Sequence, residues 1–379
     1  ICSSLVKSGA EVYVVMSPNA TNFVSPITFT SICGKKTAVD LFEEKEKIYH
    51  VELGHAIDVA LIAPATANTI SKVACGICDN LLTTIILSTI SPVLFAPAMN
   101  ESMYLDFVVQ ENIQRLIASG KYFFVGPRKG RLACGEEGMG RMEEPEVILE
   151  SLAALLKYRN DLEGVKVLVT AGGTREYIDS VRYISNYSSG KMGYAMAEEA
   201  YLRGAKRVVL ISTNPILPVP YGVEVYYVES SAQMKEKILE CFGDFDITVM
   251  AAAVSDIVPA QKYEYKLKKK DDILSRIRFK VNESILDFLV KNKKESQFIV
   301  GFSAESGEDI NSVKEKFESM GVDMLVANDI SRKDIGMGSE FNEVLLMGPG
   351  GFIKKIEKDK KRIIARKIWD EISRVLKER

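Results

Sequence analysis

The sequence predicts an α/β protein of two doubly wound, Rossmann-like domains, and three observations carry that prediction. Short apolar runs rich in β-branched residues alternate with helical patterns, the order that builds a mostly parallel sheet covered by helices. A long polar loop, residues 170–193, follows one such run directly and opens a helix, where a doubly wound sheet binds phosphates. A polar hinge, Asn160-Asp161-Leu162-Glu163-Gly164, interrupts the pattern in a chain of 379 residues. Single cores seldom grow past roughly 250–300 residues. The boundary falls at that hinge, giving domains 1–159 and 160–379.

The chain opens with Ile1 to Ala10, which reads as the tail of a helix capped by Gly9. Residues 11–16 read as a strand, and Ser17-Pro18-Asn19-Ala20 as a loop opening a helix. Residues 58–64 are nearly all apolar, as a strand covered on both faces should be. They run into Ala65-Thr66-Ala67-Asn68-Thr69 and a helix. A third strand, 91–96, ends at Pro97-Ala98-Met99-Asn100. Helix 103–118 and strand 122–125 continue the alternation, and Glu144-Pro145-Glu146 opens a helix reaching Arg159. The second half repeats it with strands 165–169, 207–211, 223–228, 247–251, 299–302 and 324–327, then a final helix 361–378. The charge-dense stretch 263–278 is expected to be a flexible flap.

Charged residues make up 26 % of the chain and the net charge is −2. No basic excess favours nucleic acid, and no apolar run reaches the ~18 residues a membrane helix needs. Six irregularly placed cysteines suit reduced cytosolic thiols. Cys75 and Cys78 form a Cys-x2-Cys pair with no second pair or clustered histidines. They are expected to pack within a helix instead of holding zinc. The opening residues carry no secretory leader pattern, so a cytoplasmic protein without membrane or nucleic-acid partners is expected.

The loop 170–193 carries glycines at 172, 173, 190 and 193. Glycine lets the backbone approach a ligand, and the first-turn N–H groups of the following helix attract anions. Ser189-Gly190-Lys191-Met192-Gly193 is not a P-loop, because Met192 has no hydroxyl for magnesium. The spacing from Gly172 to Gly193 is also too long for a dinucleotide fingerprint. Pattern alone gives an anion-binding loop of unknown type.

The run Thr174-Arg175-Glu176, Ile178-Asp179, Val181-Arg182-Tyr183-Ile184-Ser185-Asn186 and Ser188-Ser189-Gly190-Lys191-Met192-Gly193 closely resembles the signature of phosphopantothenate–cysteine ligases. The residues before it resemble phosphopantothenoylcysteine decarboxylases. Together they look like the bacterial bifunctional coenzyme A biosynthesis family, decarboxylase first and ligase second, over nearly the whole chain. The resemblance implies ligation of 4′-phosphopantothenate to L-cysteine with CTP, through an acyl-cytidylate. Decarboxylation of 4′-phosphopantothenoylcysteine to 4′-phosphopantetheine with FMN would follow. It further implies Mg2+ held mainly by the CTP phosphates, and a homo-oligomer, a dodecameric flavoprotein shell with dimeric ligase domains. In that family a first strand and a Gly-Ser-containing loop for flavin phosphate precede Ile1, so this chain is expected to lack them.

For the decarboxylase half the resemblance assigns four motifs. His50 matches the catalytic histidine; a neutral imidazole near pH 7 can move a proton or orient a carboxylate. His55, the other of two histidines, is given no role. Asn100 matches the substrate motif, where it would hydrogen-bond the substrate carboxylate without adding charge, and it equally suits a helix cap. Ala133-Cys134-Gly135 with residues 138–142 resembles the mobile substrate flap, Cys134 donating a proton from a thiol of pKa about 8.5. Residues 63–69 resemble the flavin loop, making Ala65, Thr66 and Asn68 FMN contacts, with Ser17 a further candidate. The implied chemistry is redox-neutral. The substrate thiol is oxidised to a thioaldehyde, the carbanion left by CO2 is delocalised, and electrons and the Cys134 proton return.

For the ligase half, Asn186 matches the residue handling the acyl-cytidylate, a neutral donor suited to a developing oxyanion. Gly172, Ser188, Ser189, Gly190 and Lys191 would meet phosphates. Residues 251–256 match an Ala-Ala-Val-x-Asp segment, placing Ala253 and Asp256 at the nucleotide. Lys266 matches a flap lysine that neutralises phosphate, whereas 268–270 read as solvated surface. Phe302 matches the aromatic beside the base, and Lys316 and Ala327-Asn328-Asp329 also fit. Two departures stand out. Met320 replaces a second lysine, and Asn282-Glu283-Ser284 replaces Asn-Pro-Asp, leaving Asn282 as a nucleotide contact.

Three other readings compete. One is a flavoprotein decarboxylase of another cysteine-like substrate, with a C-terminal nucleotide-binding domain of different role. Another is an NAD(P)-dependent oxidoreductase, which lacks the glycine spacing. The third is a non-catalytic flavin-binding subunit, against which intact His50, Asn100, Cys134, Asn186 and Lys266 all speak.

Overall fold

The computed structural model of the chain describes residues 1–41, 49–132, 135–158, 161–268, 277–305, 310–332 and 334–378, with Tyr49 and Tyr158 described by backbone alone. The chain divides into two compact units, Ile1–Arg159 and Asn160–Arg379. Among the described residues no helix is long and apolar enough to cross a membrane.

In the first unit the strands β1 (Ala60–Ala65), β2 (Val93–Pro97) and β3 (Tyr122–Phe124) form a parallel sheet in that order. All of β2 is buried, as its central place and its Val-Leu-Phe-Ala-Pro sequence require. Helices Ala67–Ala74 and Leu81–Ser88 link β1 to β2, and Glu101–Leu105 and Phe107–Ala118 link β2 to β3. The expected single helix 103–118 is broken at Asp106, whose carboxylate accepts the Val108 N–H at 2.9 Å and caps the second helix.

Two expectations fail here. Residues 11–16 do not form a strand. Among the described residues their only ladder is one isolated parallel bridge, Val15 to Ala38, closed by Met16 N–H to Ala38 O (2.9 Å) and Ala38 N–H to Val14 O (3.1 Å). Cys75 and Cys78 do not pack within a helix. Helix Ala67–Ala74 stops just before Cys75, Gly76 turns the chain away at φ +73°, and both thiols are exposed.

The second unit is built on an eight-stranded sheet. Its strands are β4 (Lys166–Ala171), β5 (Arg207–Ser212), β6 (Val223–Tyr227), β7 (Ile247–Met250), β8 (Phe298–Glu305), β9 (Met324–Asp329), β10 (Phe341–Gly348) and β11 (Phe352–Lys360). They lie in the order β6-β5-β4-β7-β8-β9-β10-β11. The first six are parallel and the last two antiparallel. Counted by appearance, the parallel strands run 3-2-1-4-5-6, so the winding reverses between β4 and β7. That reversal opens a crevice at the strand carboxyl ends.

Alternation along each strand feeds two cores. On β4, Val167 and Val169 join one buried cluster while Leu168 joins the other. Helices Lys191–Leu202 and Lys361–Glu378 cover the first face, locked by Trp369, whose indole N–H donates to Met196 O at 3.0 Å. Arg203, fully buried just past the first of these helices, is paired with Asp161, Glu199 and Asp370. Two hairpins rise from the loops after β4 and β7: Arg175–Tyr177 with Tyr183–Ser185, and Ile257–Pro259 with Phe279–Val281.

Candidate functional site

A crevice of about 690 Å3, open solvent included, occupies the switch point of the second unit. Ser188 to Gly193 line it from the loop and helix after β4, and Ala251 to Ala253 from the loop after β7. Phe302 and Ser303 on β8, and Asn328 and Asp329 at the end of β9, close it.

Close backbone approach explains the glycines. Gly172 holds φ +89°, and a Cβ there would meet Thr213 Oγ1 at 2.2 Å. A Cβ on Gly193 would sit 2.6 Å from Ala171 Cβ and 2.7 Å from Thr170 O, so the helix presses directly on β4. Gly190 holds φ +77°, and its added Cβ would lie 3.3 Å from Gly172 N. Tight turn, ligand approach and close helix–strand packing are the three glycine roles of a dinucleotide loop. The hairpin 175–185 is inserted between the first glycine and the other two. That insertion, invisible to a spacing rule, is why the sequence matched no fingerprint.

The loop is tied down by hydrogen bonds across the switch point. Ala253 N–H donates to Gly172 O at 2.8 Å, Thr174 N–H to Ala253 O at 3.3 Å, and Ser255 N–H to Thr174 Oγ1 at 3.1 Å. The Asn186 amide donates to Val254 O at 3.0 Å, and the Asn214 amide to Ser189 O at 2.9 Å. Lys191 donates to Gly338 O at 3.3 Å and pairs with Glu340.

Of the residues singled out in the sequence, Ser188, Ser189, Gly190, Lys191, Ala253 and Phe302 line this crevice together. Gly172 and Asn186 join it through the bonds just given. Asp256, Lys266, Asn282 and Lys316 are not among the lining residues. Asn282 N–H donates to Asp256 O at 2.8 Å, which keeps that pair together beside Ser255. Lys316 pairs with Glu305 at 2.6 Å, beyond the end of the lining on β8. Lys266 is exposed next to Leu267, which is fully buried.

Leu267 is the anchor of this described part of the charge-dense stretch. Its N–H donates to Asp179 at 3.2 Å and its carbonyl accepts from Arg182 at 3.1 Å. Burial alone would raise the Asp179 carboxyl. The N–H groups of Val181, Arg182 and Leu267, with the Arg182 guanidinium, outweigh it and hold the pKa at about 2. Lys361, which lysine-rich sequence around it had disguised, lines the crevice and is only 8 % exposed.

In the first unit the loops after β1 and β2 meet where Ala98 N–H donates to Ala65 O at 3.0 Å. Thr66 caps helix Ala67–Ala74 by accepting the Thr69 N–H at 3.4 Å; Thr66 and Asn68 are exposed and Ala65 is buried. Asn100 is indeed a cap, its Oδ1 accepting the Ser102 N–H at 2.8 Å. A hairpin, Arg128–Arg131 with Glu137–Arg141, lies against it: Met99 N–H donates to Gly140 O at 3.0 Å, and Met139 N–H to Glu101 at 2.6 Å. A Cβ on Gly140 would meet Met99 O at 2.2 Å, so only glycine allows that approach. Cys134, between these two strands in sequence, lies outside the described residues. His50 is on helix Tyr49–Ala56, its carbonyl accepting from Ser88 Oγ at 3.1 Å, and Ser17 precedes the turn Pro18–Asn22. Among the described residues no three His, Cys, Asp or Glu side chains form a metal-holding group.

Residues 162–376 match the family described as DNA/pantothenate metabolism flavoprotein, C-terminal domain, and residues 1–157 match the flavoprotein family. The chain is 39 % identical over 383 residues to the coenzyme A biosynthesis bifunctional protein CoaBC of Bacillus subtilis (strain 168), covering 100 % of this chain and 93 % of that protein. It is 39 % identical over 388 residues to the protein of the same name from Thermococcus kodakarensis, covering 99 % and 91 %. It is also 37 % identical over 355 residues to a cysteine/cysteine sulfinic acid decarboxylase of an unknown prokaryotic organism, covering 92 % and 98 %.

Proposed function

The chain belongs to the family of bifunctional coenzyme A biosynthesis proteins, and from that premise we propose how its residues carry a ligase and a decarboxylase activity. The second unit joins 4′-phosphopantothenate to L-cysteine, using CTP to make an acyl-cytidylate. The observation that supports this is the switch-point crevice, where Gly172, Gly190 and Gly193 bring bare backbone, a helix start and Lys191 to one place. Backbone N–H groups and Lys191 hold phosphate there. The Asn186 amide, fixed on Val254 O, is placed to steady the oxyanion as the amide bond forms. Phe302 packs beside the base. Asp256, Asn282, Lys266 and Lys316 reach the nucleotide from outside the lining, and Mg2+ would be held mainly by the CTP phosphates, whose charge it would offset.

The first unit is a flavoprotein domain, and FMN is its proposed cofactor. The residues fit such a group. The first-turn N–H groups of helix Ala67–Ala74 have no helical acceptor, and Ala65, Thr66 and Asn68 surround them at the carboxyl end of β1. Ser17 would add a hydroxyl. Bound FMN supplies the two-electron chemistry that makes loss of CO2 from a cysteinyl carboxylate redox-neutral. Asn100 commits its Oδ1 to the cap, and its amide N–H is the group suited to the substrate carboxylate. His50 moves or holds a proton beside that carboxylate, and Cys134 delivers the final proton to product. A cytoplasmic homo-oligomer with a dodecameric shell and dimeric ligase units is the assembly that goes with this reading.

The similarity to a cysteine/cysteine sulfinic acid decarboxylase supports a second reading. In it the first unit acts on another cysteine-like substrate and the second has a different role. One experiment separates the two. Full-length Cys134→Ser, given CTP, phosphopantothenate and cysteine, should ligate as the parent does, release CO2 at most once per active site, and then stall without releasing 4′-phosphopantetheine. CO2 release by the parent protein from cysteine alone, without CTP, would favour the second reading.

A further inference from the structure

We propose that Lys361 and Lys191 form a two-lysine anion subsite in the crevice of the second unit, holding a phosphate group of a ligase substrate. This rests on the ligase reading and extends it to a residue that reading does not use.

Lys361 is 8 % exposed and lines the crevice, yet among the described residues its ammonium makes no hydrogen bond or ion pair. An ammonium largely withdrawn from water, with no hydrogen-bonded counter-ion, is costly to keep. Glu340 is already paired with Lys191; it acts on the Lys361 ammonium by charge, without an ion pair, and its carbonyl accepts the Lys361 N–H at 2.9 Å. Asp329, on the end of β9, is the one acid among the lining residues, and Glu340 is not among them. Lys361 also opens the 18-residue helix Lys361–Glu378, which has no acidic residue in its first turn. A cation at that end opposes the helix dipole, which favours negative charge there. Two lysines, a helix start and the Ser188–Gly193 backbone thus present positive potential to one space, against Asp329 in the lining and Glu340, which is paired with Lys191. An anion is the missing partner.

Burial, and next the charge of Lys191, push the Lys361 ammonium down to about 8, with Glu340 opposing them. An arriving phosphate raises it again, because an opposite charge favours the protonated form. Binding above that pH therefore takes up protons. The same phosphate chemistry has two sources, the monoester of phosphopantothenate and the triphosphate of CTP, and the assay has an arm for each.

In full-length protein, Lys361→Met should keep or raise the thermal midpoint, since it removes a partly desolvated charge that has no ion pair. It should raise the apparent KM for one substrate roughly tenfold to a hundredfold, the loss of a charge-assisted bond. Whether phosphopantothenate or CTP is affected names the source. Both KM values within twofold of the parent would overturn the subsite. A second measurement needs no variant: calorimetry of the parent at pH 8.5 in two buffers of different ionisation enthalpy. Net proton uptake on binding supports the subsite, and its absence overturns it. If the parent releases no pyrophosphate with both substrates, the ligase reading fails. The calorimetry with inorganic pyrophosphate as probe then still judges the subsite by the same two outcomes.

Discussion

Gly193→Ala tests how tightly helix Lys191–Leu202, whose start lines the crevice, is set against the sheet. The new Cβ would lie 2.6 Å from Ala171 Cβ, 2.7 Å from Thr170 O and 3.1 Å from Ala171 Cα. Ordinary carbon contacts are ~3.5–4.0 Å, so about 1 Å of separation has to be found. β4 cannot yield it, being held on both sides by β5 and β7; the start of helix Lys191–Leu202 must move instead. Overpacking of this kind costs ~1–3 kcal/mol, offset by up to ~1 kcal/mol of better helix propensity. The net stability loss is thus small, a shift of a few degrees at ~2–4 °C per kcal/mol. Activity should suffer more, since a displacement of about 1 Å at a reacting group can cost ~100-fold. Pyrophosphate release with CTP and phosphopantothenate measures it, and decarboxylation of supplied phosphopantothenoylcysteine by the same preparation is the internal control. A ligase rate within twofold of the parent, with decarboxylation intact, would refute the argument that this contact positions the site.

Arg203→Met leaves Asp161, Glu199 and Asp370 without their shared cation. A loss of ~3–5 kcal/mol is expected in the unfolding of the second unit, read by thermal denaturation. Asp179 has its pKa held down at about 2 in the fold, against ~3.9 when unfolded. Its contribution is therefore complete above pH ~4 and is lost as pH falls from there toward 2. Limited acid proteolysis at 263–268 should rise across that window, and Asp179→Asn should show the same sensitivity at neutral pH. Asn100→Asp keeps the acceptor that caps helix Glu101–Leu105 but loses the amide N–H and adds a charge. Stability should hold while decarboxylation falls about 10²–10³-fold; unchanged turnover would leave Asn100 as a cap only.

The alternation of strands and helices was legible because buried parallel strands are nearly uniformly apolar, as in Val93–Pro97 and Lys166–Ala171. β10 and β11 were not read. β11 is an edge strand, Phe-Ile-Lys-Lys-Ile-Glu-Lys-Asp-Lys, mostly exposed, and its charges look like any solvated surface. The same charge run hid Lys361, because only the fold shows that this lysine of 360–362 turns into the crevice. At 11–16 the apolar alternation is real, but a strand also needs a neighbour, and among the described residues only Ala38 supplies one. Asn100 shows the opposite case, since the helix cap read from sequence is the one its side chain makes. The glycines of 172–193 were seen, whereas their shared purpose needed the inserted hairpin to be folded out of the way.

The most direct measurement is a coupled assay on the full-length protein, adding CTP, then phosphopantothenate, then cysteine, while following pyrophosphate and CO2. The account predicts pyrophosphate only once CTP and phosphopantothenate are both present, and CO2 only after cysteine completes the set. CTP turnover without phosphopantothenate, or CO2 before CTP, would contradict it.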